Sequence, residues 1–500
     1  MQKVSFLHKI FGTTPGEGLQ PKEAIAYSVT GIGQNFICTI IGSYLTVFMT
    51  EALLFGSDDF KVGAVSGSVA VALLMLCTRI FDALNDPIMG SIVDRTRTPW
   101  GKCRPYLKWM AIPIGIMTLA CFLPFYQAKS VASFAAISAI YVIWSVVYTV
   151  ADVPYWGLST CLTNNTEVRG KVLTVARLAC TLGAGLVTVS VPIISSAVTQ
   201  KYKQDGQVLV QYIGENANTL KWTYFLCALV LVVVSMPMFF YGFKNTKERF
   251  QSTENPPSLG HNLKLLFKNK ELLLIVLSGI LGGARMVYTY TGGLYFAKYV
   301  LGEEGLFSLI TMLMVPGGLV ASLLVPWMSK KFTKKKAYIM VHALGAVVMF
   351  AMYFIGYDAR WKMWICAIGL VLLGIPQGVN NIITYAMIGD TVEYLEWKTG
   401  ERAEGICFAM QTFINKIGMA VGAFVGVISY KVAGINPTAA DGVYITAGGK
   451  DTLWTLLILS GAISMALTIV PMLFYTITED KQRKMVKEIE ERKAGKTAAE

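Results

Sequence analysis

Apolar runs of twenty or more residues recur along the whole 500-residue chain, and short polar segments separate them. A run of that length crosses the hydrocarbon of a bilayer as one helix. Twelve such spans are predicted, near 24–50, 63–93, 106–127, 132–156, 172–199, 222–242, 271–299, 305–328, 338–356, 362–387, 403–433 and 451–476. The short alternating segments of a membrane barrel do not occur. The expected fold class is therefore an all-α integral membrane protein. Met1–Lys22 is polar and lacks the apolar centre of a cleavable signal peptide.

The longest polar stretch, Lys244–Lys270, contains Pro256-Pro257 and divides the spans into two sets of six. The predicted organisation is an N-terminal half (1–243), a central loop (244–270), a C-terminal half (271–476) and a tail (477–500). The basic segment Asp94-Arg-Thr-Arg-Thr-Pro-Trp-Gly-Lys-Cys-Arg104 follows the second span. Ser329-Lys-Lys-Phe-Thr-Lys-Lys-Lys336 follows the eighth. Matching basic loops at matching positions imply an internal repeat, as in secondary transporters that bind substrate between their halves. The tail Glu479–Lys493 is charge-dense and reads as a surface helix, with basic residues able to touch anionic lipid.

Composition supports this. Hydrophobic residues make up 54% of the chain and charged residues 15%, against about a quarter charged in soluble domains. The net charge of +13 is not a nucleic-acid face, because its cations cluster in alternate loops. Of 44 Lys and Arg, 30 fall on one side of the predicted spans and 10 on the other. The positive-inside rule places the richer side, with both termini, in the cytoplasm. The location expected is a cell (inner) membrane. Most of the nine cysteines lie in apolar runs and none forms C-x-x-C, so they read as free thiols without a disulfide or zinc framework. The histidines His8, His261 and His342 are scattered. With no nucleophile–base pairing, metal cluster or phosphate loop, an enzyme is not expected, nor a resident cofactor.

Ionisable residues inside spans mark function, because burying an isolated charge in hydrocarbon is costly. In Arg79-Ile-Phe-Asp82-Ala-Leu-Asn85-Asp86-Pro-Ile-Met-Gly90, Asp82 and Asp86 lie one helical turn apart on one face, with Asn85 beside them. Two such carboxylates repel unless a cation sits between them, and hard cations such as Na⁺ favour oxygen ligands. Alternatively Asp82 pairs with Arg79 and Asp86 faces water. Near the predicted end of span four, Asp152 has Trp156 one turn on and Thr149 about a turn before. An acid accepting from hydroxyls beside a flat aromatic face suits a sugar. A carboxylate at a helix end in water is the plainer reading. Thr149 can lend its oxygen to the cation site. Arg177 lies early in span five, and Lys416 with Gln411 and Thr412 in span eleven is expected to line the cavity. Arg285 in span seven is open between pairing, snorkelling and substrate contact.

With these motifs the chain resembles, nearly end to end, the glycoside–pentoside–hexuronide:cation symporters of the major facilitator superfamily, the melibiose-carrier group. The marks are Phe81-Asp-Ala-Leu-Asn-Asp-Pro-Ile-Met-Gly90, Trp100-Gly-Lys-Cys-Arg-Pro105, Tyr148-Thr-Val-Ala-Asp-Val-Pro-Tyr-Trp156 and Asp390-Thr-Val-Glu-Tyr-Leu-Glu-Trp-Lys-Thr-Gly-Glu-Arg402. The resemblance implies the major facilitator fold and a Na⁺ or H⁺ coupling site at Asp82, Asn85, Asp86 and Thr149. It implies sugar contacts at Asp152, Trp156 and Arg177, with Lys416 close to both sites. Alternating access is implied, the cation binding first. The chain departs from the melibiose pattern at Gln34-Asn35, where that group has Lys-Asp. Gln34, Arg79, Arg285, Gln411 and Thr412 are further cavity candidates, and Asn35 a substrate contact shared with glucuronide carriers. Those carriers have no acid matching Asp152 and no aromatic matching Trp156, which favours a neutral glycoside here.

The expected function is cation-coupled symport of a sugar or glycoside, with the bilayer, substrate and cation as partners, no nucleic acid, and a monomeric transport unit. The alternatives are a hexuronide or glucuronide symporter, in which Arg177 and Lys416 bind the carboxylate, a lysolipid-type transporter of the same fold, and a sugar sensor that no longer transports.

Overall fold

A computed structural model describes residues 6–11, 13, 18–163, 166–199, 201–204, 207–210, 215–249, 259–289, 291–401, 404–438 and 444–497. Pro256-Pro257 and Arg402 lie outside the described residues.

Every predicted span has a helix. They are helix one (Pro21–Ala52), two (Gly67–Arg95), three (Arg104–Cys121), four (Val131–Leu162), five (Thr166–Val198) and six (Glu215–Asn245). Helix seven is Lys270–Leu281 continued as Gly283–Val300. Helices eight to twelve are Leu306–Lys331, Lys334–Ile355, Arg360–Thr399, Glu404–Val432 and Ala447–Phe474. Among the described residues, ten helices are long and apolar enough to cross a membrane, and the two pieces of helix seven, bent by 40°, make up to eleven. Helix three has 18 residues and carries Arg104 and Lys108 near its start. The predicted twelve are reached only with it.

Lipid exposure explains the sequence pattern. Helix two leaves Phe81, Leu84, Ile88 and Ile92 exposed on one face and buries Asp82 and Asp86 on another. Water would penalise that apolar face, whereas hydrocarbon does not.

Helix ten overturns one expectation. Its 40 residues run well past the predicted end at 387, so most of the Asp390–Arg402 motif is helix rather than loop. Thr391, Val392, Leu395 and Glu396 are buried at helical spacing. The helix stops at Gly400, whose φ of +76° suits a residue without Cβ and whose N–H donates to Glu396 O at 2.8 Å.

The chain forms two compact units. The first holds Met1–Pro256, Gly302–Ser308 and Asn436–Tyr444, and the second Pro257–Leu301, Leu309–Ile435 and Ile445–Glu500. They share a construction. Helix one closes with a wide turn in which Leu53 N–H bonds Phe48 O, five residues back, at 3.0 Å. Helix seven closes likewise, Leu301 N–H to Phe296 O at 3.1 Å. After helix six, Glu248 accepts from the backbone N–H groups of Lys102, Cys103 and Arg104 at 2.7–2.8 Å, at the start of helix three. After helix twelve, Glu479 accepts from Lys334 N at 2.6 Å, at the start of helix nine. A carboxylate at a helix N-terminus satisfies unpaired N–H groups and opposes the dipole. These parallels give the internal repeat a physical form.

In the second unit, helices eight and ten cross at glycines. A side chain at Gly374 would meet Gly318 N at 2.7 Å, so the backbones meet directly. The central segment contains the helix Leu259–Lys268, which buries Leu265 and Leu266. The tail forms the helix Glu479–Thr497, as expected. It packs on helix ten through buried Met485 and Ile489, with Trp397 Nε1 donating to Glu488 at 2.6 Å. Two hairpins were not anticipated: Lys61–Val62 with Val65–Ser66, and Lys201–Gln204 with Gln207–Val210.

Candidate functional site

Helix two places Asp82 (1% exposed) and Asp86 (6%) on its buried face, with Asn85 half-buried between them. Helix four brings Thr149, fully buried, against Asp82, and its hydroxyl donates to Asp82 Oδ1 at 2.5 Å. Arg79 Nη1 stands 3.9 Å from Asp82 Oδ2. That is the outer limit of an ion pair and longer than the hydroxyl contact. The structure thus brings one carboxylate and one hydroxyl oxygen into contact, and hard oxygens of this kind suit Na⁺.

One turn further along helix four sits Asp152, 7% exposed. Helix four runs to Leu162 rather than the predicted 156, so Asp152 is an interior residue. This corrects the reading of a helix-end carboxylate in water. Gln34, on helix one, donates from Nε2 to Asp152 Oδ1 and to Tyr148 OH at 3.4 Å. Gln34 Oε1 is buried and has no hydrogen-bond partner among the described residues. A buried acceptor of that kind awaits a donor such as a ligand hydroxyl. Asn35 is half-buried and donates to Gly31 O at 3.0 Å, within its own helix.

Trp156, half-buried, follows Asp152 by one turn. The Arg177 guanidinium lies 4.8 Å from the Trp156 ring centroid, a cation–π contact. Arg177 is exposed rather than embedded. Tyr155 stacks on Tyr27 at 4.7 Å and meets Trp156 edge-on at 4.9 Å. Helices one and four thus join Tyr27, Tyr155 and Trp156 in one run of rings, and helix five adds the Arg177 guanidinium at its Trp156 end. The described contacts bring together Gln34 with Asp152, Trp156 with Arg177, and Asp82 with Thr149.

Lys416, Arg285, Gln411 and Thr412 belong to the second unit. Lys416 and Arg285 are buried, and Arg285 Nη1 donates to Gly282 O at 2.7 Å. Gln411 Nε2 donates to Asn415 Oδ1 at 3.2 Å. The closeness of Lys416 to the first-unit residues rests on the family resemblance alone.

Sequence reasoning missed Tyr148, which shares Gln34 with Asp152. The signal was there: Tyr148 precedes Asp152 by four residues, on the same face. It also missed the ion pair of Lys334 with Asp390, Nζ to Oδ2 at 2.6 Å, because Asp390 had been placed in a loop. Besides Asp82, Asp86 and Asp152, the described residues bury Glu23, Glu51, Glu271, Glu304, Asp390 and Glu396. The first four fall at the edges of predicted spans, and Asp390 and Glu396 lie beyond the predicted end of span ten.

The family model described as MFS/sugar transport protein matches residues 26–479. The chain is 28% identical over 482 residues to the isoprimeverose transporter of Lactiplantibacillus pentosus, covering 95% of this chain and 92% of that one. It is 26% identical over 474 residues to the glucuronide carrier protein homolog of Escherichia coli K12, covering 94% and 95%. Among solved structures, a nucleoside transporter superposes with a TM-score of 0.57 at 12% identity, covering 91% of this chain and 99% of that one. At that identity the likeness concerns the fold alone.

Proposed function

Because this chain belongs to the MFS/sugar transport protein family, we propose that it imports a sugar or glycoside together with a cation, by alternating access. Sugar symport follows the company of its relatives. The coupling ion and the roles of individual residues are our own reading.

The observation that carries this reading is the pairing of Asp82 with Thr149, close in sequence to the Gln34–Asp152 pair on the same helix four. In our reading Na⁺ binds at Asp82, Asn85, Asp86 and Thr149. Its charge removes the repulsion between the two carboxylates, which otherwise makes the empty site costly. Thr149 and Asp152 are three residues apart, so a shift of helix four on cation binding reaches the sugar residues directly. Asp152 accepts from sugar hydroxyls, Trp156 offers its face, and Arg177 and Asn35 add donors. Cation first, sugar second is then the favoured order. We further propose a multi-pass protein of the cell (inner) membrane with cytoplasmic termini, acting as a monomer.

The test is thermal stabilisation of the purified protein by isoprimeverose, other neutral glycosides and glucuronides, each with and without Na⁺. A shift for a neutral glycoside that grows with Na⁺ supports the reading. A shift for uronides alone transfers the leading role to Arg177 and a substrate carboxylate. A sugar shift indifferent to Na⁺ and dependent on pH replaces the coupling ion with a proton.

A further inference from the structure

We propose that Cys103, Cys161 and Glu248 form a binding site for a Zn²⁺-like divalent cation, apart from the transport residues. Each contributes one ligand atom, and these atoms lie within 4.8 Å of one another. Tetrahedral Zn²⁺ holds sulfur at about 2.3 Å and oxygen at about 2.0–2.2 Å, which sets ligand atoms roughly 3.3–3.8 Å apart. A contraction of about an ångström closes the site.

The three residues come from three segments that the fold itself fixes together. Cys103 precedes helix three, Cys161 is in the last turn of helix four, and Glu248 follows helix six. Both thiols are about 1% exposed. The Cys103 sulfur lies against helix four beside Gly157, one turn before Cys161, at a distance where a Cβ on Gly157 would just touch it, 3.5 Å. Arg249 N–H donates to Cys161 O at 2.9 Å, tying the chain after helix six to the end of helix four. Glu248 is already aimed. Oε1 accepts from Cys103 N and Arg104 N, and Oε2 accepts from Lys102 N at 2.8 Å, leaving Oε2 a lone pair. Glu248 is half-buried and Thr160, beside Cys161, is exposed, so the cluster lies close to the protein surface.

Two thiolates and a carboxylate suit a borderline metal rather than Na⁺ or Mg²⁺. Three protein ligands leave a fourth position for water. Binding displaces the two thiol protons to solvent, so affinity rises with pH. The ion would tie the start of helix three to the end of helix four and the chain after helix six. Cys103 and Cys161 are far apart in sequence and show no ligand spacing, which is why the sequence alone reads as lacking a metal framework.

The experiment uses the full-length protein in detergent, reduced with a phosphine and stripped of metal. Cd²⁺ is titrated while the thiolate-to-metal charge-transfer band is followed, and Zn²⁺ is then used to displace it. The proposal expects one equivalent per chain in the wild type and in Cys227→Ser. Binding should weaken at least about tenfold in Cys103→Ser and in Cys161→Ser. Zn²⁺ should raise the Tm of the wild type and leave both variants unmoved. Equal Cd²⁺ binding by the two variants and the wild type overturns the site, as does absence of binding by fully reduced wild type. A Cys103–Cys161 disulfide in protein isolated without reductant replaces the metal site with a redox pair.

Discussion

Replacing Thr149 by Val removes one oxygen and keeps the shape of the side chain. Val and Thr are both β-branched and sit in a helix with similar ease. The native hydroxyl is fully buried and donates to Asp82 Oδ1 at 2.5 Å. While donating, it still has lone pairs to offer a cation. Valine can neither donate nor ligate. A hydrogen bond to a charged group contributes about 1.5–3 kcal/mol, and a lost oxygen ligand is of the same order. That corresponds to about tenfold to 150-fold in an equilibrium constant. The assay is sugar accumulation in right-side-out vesicles as a function of external Na⁺. Thr149→Val should raise the half-saturating Na⁺ by that factor, and Thr149→Ser, which keeps the hydroxyl, should stay near the wild type. The Tm without ligand separates a weakened ion site from a weakened fold. An unchanged Na⁺ dependence in Thr149→Val, with normal expression, refutes the cation-ligand role. Equal damage in Val and Ser would show that packing, not the oxygen, is at stake.

Asp152→Ala should abolish sugar-induced stabilisation and leave the Na⁺ response in place; a sugar response within twofold of the wild type would count against the assignment. Lys334→Met leaves Asp390 buried without its counter-ion, at a cost of about 3 kcal/mol. Its Tm should fall, and adding Asp390→Leu should recover most of the loss; no recovery would mean the pair does not act as a unit. Met485→Asp puts a charge into the buried face of the tail helix, and limited proteolysis should then remove the tail at a protease dose that spares the wild type. Equal resistance would show that the tail is held by its polar contacts alone.

The spans are legible in the sequence because a membrane helix needs no partner to declare itself: its length and apolarity are local. Asp82, Asp86 and Asp152 are legible for the related reason that a carboxylate in such a run carries a cost. What links them is not local. Nothing in the chain says which turn of helix four lies level with Asp82, so Thr149 could be offered only as a possible ligand and Tyr148 was passed over. The end of helix ten was obscured by its polarity. Asp390 to Lys398 looks like a loop by hydropathy, yet Thr391, Val392, Leu395 and Glu396 are buried at the spacing of a helix. Arg177 was legible as a cation early in an apolar run, but its setting was not: it is exposed, with its guanidinium against Trp156.

The wide turns that close helices one and seven bear on how related chains are to be aligned. A bond spanning five residues holds one residue more than an ordinary turn, and each residue of a helix advances it by about 100°. Deleting one residue from Phe48–Ala52 would let the turn tighten and would swing the stretch after it by that angle. Glu51, now fully buried, would change its bearing, as would Leu53, whose carbonyl holds Lys129 N at 2.9 Å. A gap of one residue in this stretch between two homologues is therefore a change of helix phase, and it should be penalised in an alignment as a change of facing, unlike a gap in a surface loop.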